Sequence, residues 1–102
     1  MKININGKKI ELKYSFRSMM IYEKILGTSF DPKGMTEVMV YFYSTLIASD
    51  KTLELDFDGF MDWLDANPKA IQQFTEWLTT VLQKNAYING KQEKTEVEPK
   101  KA

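Results

Sequence analysis

An α+β fold, mainly helical, with an N-terminal β-hairpin packed on a bundle of about four helices, is predicted by three features of the sequence. Asn6-Gly7 separates two runs that alternate apolar and polar residues. Four later stretches repeat apolar residues at helical spacing, with Gly27, Ser49-Asp50-Lys51-Thr52 and Asn67-Pro68 as breaks. An apolar content of 43%, with 13% aromatics, is enough for one core in 102 residues. A single globular domain is expected over 1–88 and a disordered, charged tail over 89–102.

The hairpin is expected over 2–14. Asn-Gly suits a type I′ turn, which needs positive φ at both central residues. Ile3 and Ile5 alternate with Lys2 and Asn4, and Ile10, Leu12 and Tyr14 with Lys9, Glu11 and Lys13. Each strand therefore offers one apolar face, and a lone hairpin must pack on something to be stable. Lysines along the edges discourage further pairing.

Ser15 is a natural N-cap for a first helix over 16–26. Phe16, Met19, Met20, Ile25 and Leu26 supply its apolar positions, and Gly27 its left-handed stop. Thr28–Gly34, with Asp-Pro and Gly, reads as a loop.

The second helix, expected over 35–49 and capped near Thr36, is central. Nine of the eleven residues from Val38 to Ala48 are apolar or aromatic, Ser44 and Thr45 being the others. Val, Tyr and Phe in a row also suit a buried strand, but a run from Met35 to Ala48 without a turn signal fits a helix better. A helix apolar nearly all round is hard to wrap in so short a chain. Part of it is therefore expected to meet another chain; the alternative is complete cover by its own domain.

A third helix is expected over 57–66, capped by Asp56, with Phe57, Phe60, Met61 and Leu64 at i, i+3, i+4 and i+7. The fourth is expected over 68–85, with Asn67 as cap and Pro68 at its first position. Ile71, Phe74, Leu78, Val81 and Leu82 form its stripe, widened by Trp77. From Lys91 to Lys101 only Val97 is a sizeable apolar side chain, too little to offset the entropy of ordering.

Composition excludes several chemistries. Lys and Arg total 14, Asp and Glu 14, and Arg17 is the only arginine, so a phosphate-binding surface is not expected. Without Cys or His there is no disulfide, thiolate, imidazole base or Cys/His zinc site. No apolar leader opens the sequence and no run approaches a membrane span, which fits a cytoplasmic protein without membrane or nucleic-acid partners.

Glu54–Asp65 places acids at positions 1, 3, 5, 9 and 12 and Gly at 6, the spacing of a calcium loop. Glu at position 1, a short Asp at position 12 and three bulky apolar residues argue for a capped amphipathic helix instead. Asp62 and Asp65 share a helix edge, but nothing drives their pKa values apart, so they read as a solvated edge and not as an acid/base pair. Lys8, Lys9 and Lys13 read as solubilising edge charges. No phosphate loop or nucleophile elbow is present, so neither catalysis nor a cofactor or metal is expected.

The order of elements can also be read as a whole. An Ile-Asn-Gly hairpin leads into Glu11-Leu12-Lys13-Tyr14-Ser15-Phe16-Arg17-Ser18 and a helix ending in Leu26-Gly27. An apolar helix follows, then Leu53 to Leu64 as Leu-x-Leu-x-Phe-x-x-Phe-x-x-x-Leu, a last helix and a charged tail. Over residues 1–88 this resembles the tail assembly chaperones of long-tailed bacteriophages and prophages. The resemblance implies a protein that coats the tape-measure protein in the bacterial cytoplasm and is absent from the mature virion. It also implies self-association and a longer form, made by a frameshift near the end of the chain where Lys100-Lys101 lies, that recruits the tail tube subunit.

A chaperone of a helical client needs a shallow apolar groove, and Met-rich, aromatic surfaces repack against many sequences. Met19, Met20, Met35, Met39, Tyr41 and Tyr43 are the expected partner-binding residues, each with an alternative role as core filler. The rival reading is a small homo-oligomeric structural or adaptor module without chaperone activity.

Overall fold

The computed structural model describes the backbone of residues 1–93 and the side chains of residues 1–84. The order is β1 (Lys2–Ile5), β2 (Lys8–Glu11), α1 (Phe16–Leu26), α2 (Met35–Ser49), α3 (Phe57–Ala66) and α4 (Lys69–Glu93). The mainly helical α+β fold with an N-terminal hairpin is as the sequence predicts.

The two strands pair antiparallel, Ile3 opposite Ile10 and Ile5 opposite Lys8. Asn6 and Gly7 both take positive φ, 52° and 78°, as a type I′ turn requires. The Leu12 amide donates to the Met1 carbonyl at 2.8 Å, one pair beyond the strands. Ile3, Ile5, Ile10 and Leu12 are buried, so the hairpin is held by its apolar face, each side chain contributing about 2 kcal/mol.

α1 starts in a capping box. The Ser18 amide donates to Ser15 Oγ at 3.1 Å, and the Ser15 amide to Ser18 Oγ at 3.3 Å. Gly27 ends the helix at φ 71°. Glu23 accepts from the Phe30 amide at 2.7 Å and so fixes the following loop. That loop puts Phe30 edge-on to Tyr22 and Tyr41, at 5.2 and 4.7 Å between ring centres.

α2 runs through the middle. Val40, Tyr41, Phe42, Ser44, Thr45 and Leu46 are buried, and no strand forms here. Ser44 and Thr45 donate to the carbonyls four residues back, Val40 and Tyr41, at 2.7 and 2.6 Å, so neither buried hydroxyl needs an outside partner. The expected cap near Thr36 is corrected: Gly34 is the N-cap, without a side-chain bond, and Thr36 lies inside the helix.

Two sides of α2 take different neighbours. Tyr41 meets Tyr22 of α1, at 6.1 Å between ring centres. Tyr43 meets Phe57 and Phe60 of α3, at 5.4 and 5.6 Å. Two residues on a helix are about 200° apart, so α1 and α3 flank α2 on opposite sides. Phe42 between them stacks on Phe74 of α4 at 4.3 Å, with the rings 2° from parallel.

α3 is capped by Asp56, which accepts from the Gly59 amide at 2.8 Å. α4 starts at Lys69, one residue after the expected position. Asn67 closes α3 instead of capping α4 with its side chain, which donates to the Trp63 carbonyl at 2.9 Å. α4 also continues beyond the expected end at 85, through Asn89-Gly90 to Glu93. One glycine costs a helix only about 1 kcal/mol, too little to force a stop. The remainder of the expected tail, from 94 onward, lies outside the described residues.

Candidate functional site

Gly34 lets α2 begin at Met35, and Met39 follows one turn later on the same face. Their side chains lie where α2, the end of α3 and the start of α4 converge. A shallow cleft of about 220 Å³ is lined there by Met35, Met39, Met61, Leu64, Asp65, Pro68 and Ile71. A second, of about 250 Å³, is lined by Lys33, Gly34, Met35, Val38, Ile71, Gln72 and Thr75. The clefts share Met35 and Ile71 and so form one apolar trough, with Asp65 towards one end and Lys33 towards the other. Met35 is 66% exposed in it.

The six expected contact residues therefore divide. Met35 and Met39 line the trough. Met20 is 57% exposed on the outer side of α1, away from them, and Met19 is half-buried against the core. Tyr41 is corrected, whereas Tyr43 keeps part of its surface. Tyr41 is 0% exposed and its hydroxyl meets Ser18 Oγ at 2.9 Å, so it has no surface to offer. Tyr43 is half-buried and donates to the Leu55 carbonyl at 2.7 Å, which ties α2 to the segment before α3. Burial pushes the pKa of both phenols up.

Met61 and Ile71 complete the trough but were expected only as the apolar stripes of their helices. The signal for them is the α3–α4 elbow at Asn67-Pro68, which turns the two stripes to face each other. Phe16, expected among the apolar positions of α1, is 83% exposed. It lies close to Met20 around the helix and far from the buried Ser18 and Tyr22, a division that counting at 100° per residue would have revealed.

A further cleft, about 450 Å³, lies between β1 and the α3–α4 elbow. It is lined by Lys2, Asn4, Asn67, Lys69 and Gln73, with Ile3 and Trp63 as its large apolar side chains, and no acid lines it. Glu54–Asp65 forms an extended lead and a capped helix, with Asp56 used on a backbone amide. Asp62 and Asp65 stand exposed on that helix. Lys8 is used internally: it pairs with Asp50 at 3.5 Å and donates to Thr52 Oγ1 at 2.6 Å. Hydrogen bonds from Thr52, with Lys8 nearby, hold the Asp50 carboxyl below its ordinary value. No helix among the described residues is long and apolar enough to cross a membrane.

No protein-family model, curated protein or solved structure matches the chain.

Proposed function

We propose that the protein is a non-enzymatic tail assembly chaperone of a long-tailed phage or prophage. In this reading it works in the bacterial cytoplasm, holds the tape-measure protein while the tube is built, and is left out of the finished virion. A longer form made by frameshifting brings in the tail tube subunit.

The observation that carries the reading is the trough of Met35, Met39, Met61 and Ile71. It is open and shallow, suited to a helix laid along it by anchors one and two turns apart. Flexible thioethers refit to anchors of different shape, as a client with many similar segments requires. The order of elements resembles the same family independently of the trough.

Co-expression with the tape-measure protein tests the reading. The wild-type chain is expected to keep that client soluble and to co-purify with it. Met35→Lys with Met61→Lys puts two ammonium groups in the trough and is expected to abolish co-purification while leaving the circular dichroism spectrum unchanged. A client that stays insoluble beside the wild-type chain overturns the reading, and so does one that binds the folded double variant equally well. The exposed Phe16, Met20 and Ile25 favour a second reading, the homo-oligomeric adaptor, which predicts stable assemblies that leave the client insoluble.

A further inference from the structure

We propose that the outer face of α1 is a docking surface for the outer face of α3 in a second copy of this chain. The contact is head-to-tail; on α3 it takes in Met61 and Asp65, which also border the trough, but neither Met35 nor Met39, and its charges on α1 lie apart from the trough.

The α1 surface combines charge with apolar area. Arg17 and Lys24, two helical turns apart, lie on one line of the helix. Together with Met20 and Ile21 they line a cleft of about 350 Å³. Exposed Phe16 adjoins it at the start of the helix. No acid in this group neutralises the two cations.

α3 carries the complement. Asp58 and Asp65, also two turns apart, lie on one line of that helix, with Asp62 beside them and half-buried Met61 next to the line. The ion pairs among the described residues join Met1 to Glu11, Lys8 to Asp50 and Lys33 to Asp31. Arg17, Lys24, Asp58, Asp62 and Asp65 therefore have no ionic partner within the described chain. Laid side by side, the helices put an acid opposite each cation in either direction, with Met20 near Met61.

Placement decides between a second copy and a self-contained contact. α1 and α3 flank α2 on opposite sides, joined through Tyr41 and Tyr43. Ser18 and Tyr22 of α1, and Phe60 and Leu64 of α3, turn inward, so the cationic and acidic lines look outward in opposite directions. They cannot meet within one chain. A contact between two different surfaces of identical copies closes into a ring or continues as an open row. The charges set orientation and partner, and the apolar residues supply most of the affinity.

Sedimentation of the full chain across a concentration series tests this. The wild-type chain is expected to associate, less so as salt rises from about 50 mM to about 500 mM. Arg17→Glu with Lys24→Glu is expected to weaken association by about tenfold or more, as two like-charge contacts replace attractive ones. Asp58→Lys with Asp65→Lys is expected to do the same. An equimolar mixture of the two double variants restores both contacts and is expected to associate like the wild-type chain, as is the quadruple variant. Melting curves check that each variant is folded, and the α1 double variant is expected to keep its client. A wild-type chain that stays monomeric, double variants that associate undiminished, or a folded mixture that fails to recover each overturns the proposal.

Discussion

The buried contact between Ser18 and Tyr41 allows a quantitative test of how α1 is held on α2. Ser18 Oγ has one proton and donates it to the Ser15 carbonyl at 2.7 Å. The Tyr41 hydroxyl, 2.9 Å away, must therefore donate to Ser18. Tyr41→Phe removes that donor and leaves Ser18 with both of its bonds to Ser15. The expected cost is one net hydrogen bond, about 1 kcal/mol, or a fall in Tm of about 5 °C for a domain of this size. Ser18→Ala is the more damaging change. It takes the Ser18 partner from the buried Tyr41 hydroxyl, leaving only Thr45 beside it, and opens one half of the capping box, for an expected loss of about 2–3 kcal/mol. The double variant no longer has a buried hydroxyl short of a partner, so it is expected to cost about 1 kcal/mol less than the sum of the two single changes. Urea titrations followed by the fluorescence of Trp63 and Trp77 give all three values. Equal losses from the two single variants, or strict additivity in the double, would refute the assignment of donor and acceptor.

Three further outcomes are expected. Phe42→Ala removes the ring stacked on Phe74 and set 5.2 Å from Phe60, and is expected to cost about 4 kcal/mol in the same urea titration; a loss below about 1 kcal/mol would mean that this stack is not the centre of the core. Burial raises the pKa of Tyr22, Tyr41 and Tyr43 above their unfolded values. Their contribution is therefore complete below about pH 10 and is lost as pH rises through the folded values, so the urea midpoint is expected to fall in alkali, less steeply in Tyr41→Phe. Gly27→Ala meets no atom within 4 Å of the added methyl, but φ is 71° there, so a loss of about 1 kcal/mol is expected from backbone strain alone.

Local chemistry was legible in the sequence wherever one residue type has one conformational use. Asn6-Gly7 fixed the hairpin and its register, Ser15 and Asp56 the starts of α1 and α3, and Gly27 the end of α1. Legibility failed where the deciding fact is which side of a helix faces what. α2 is apolar on nearly every side, so its periodicity does not separate Met35 and Met39, in the trough, from Tyr41, in the core. Neighbours made that choice: α1 and Phe30 enclose Tyr41, whereas only the elbow of α3 and α4 reaches the start of α2. Phe16 shows the same gap in reverse. It looks like a core residue by type, yet it falls on the side of α1 that no other element covers among the described residues.

Tyr41 and Tyr43 also settle how α2 can respond to load. Their hydroxyl tips are fastened to opposite flanks, one to Ser18 and the other to the Leu55 carbonyl. Like two dowels through a shaft, they stop the helix from rolling, because any turn that eased one would shear the other. A displacement of Met35 and Met39 would therefore be taken up by the torsions of the methionines themselves, while the axle beneath them stays put.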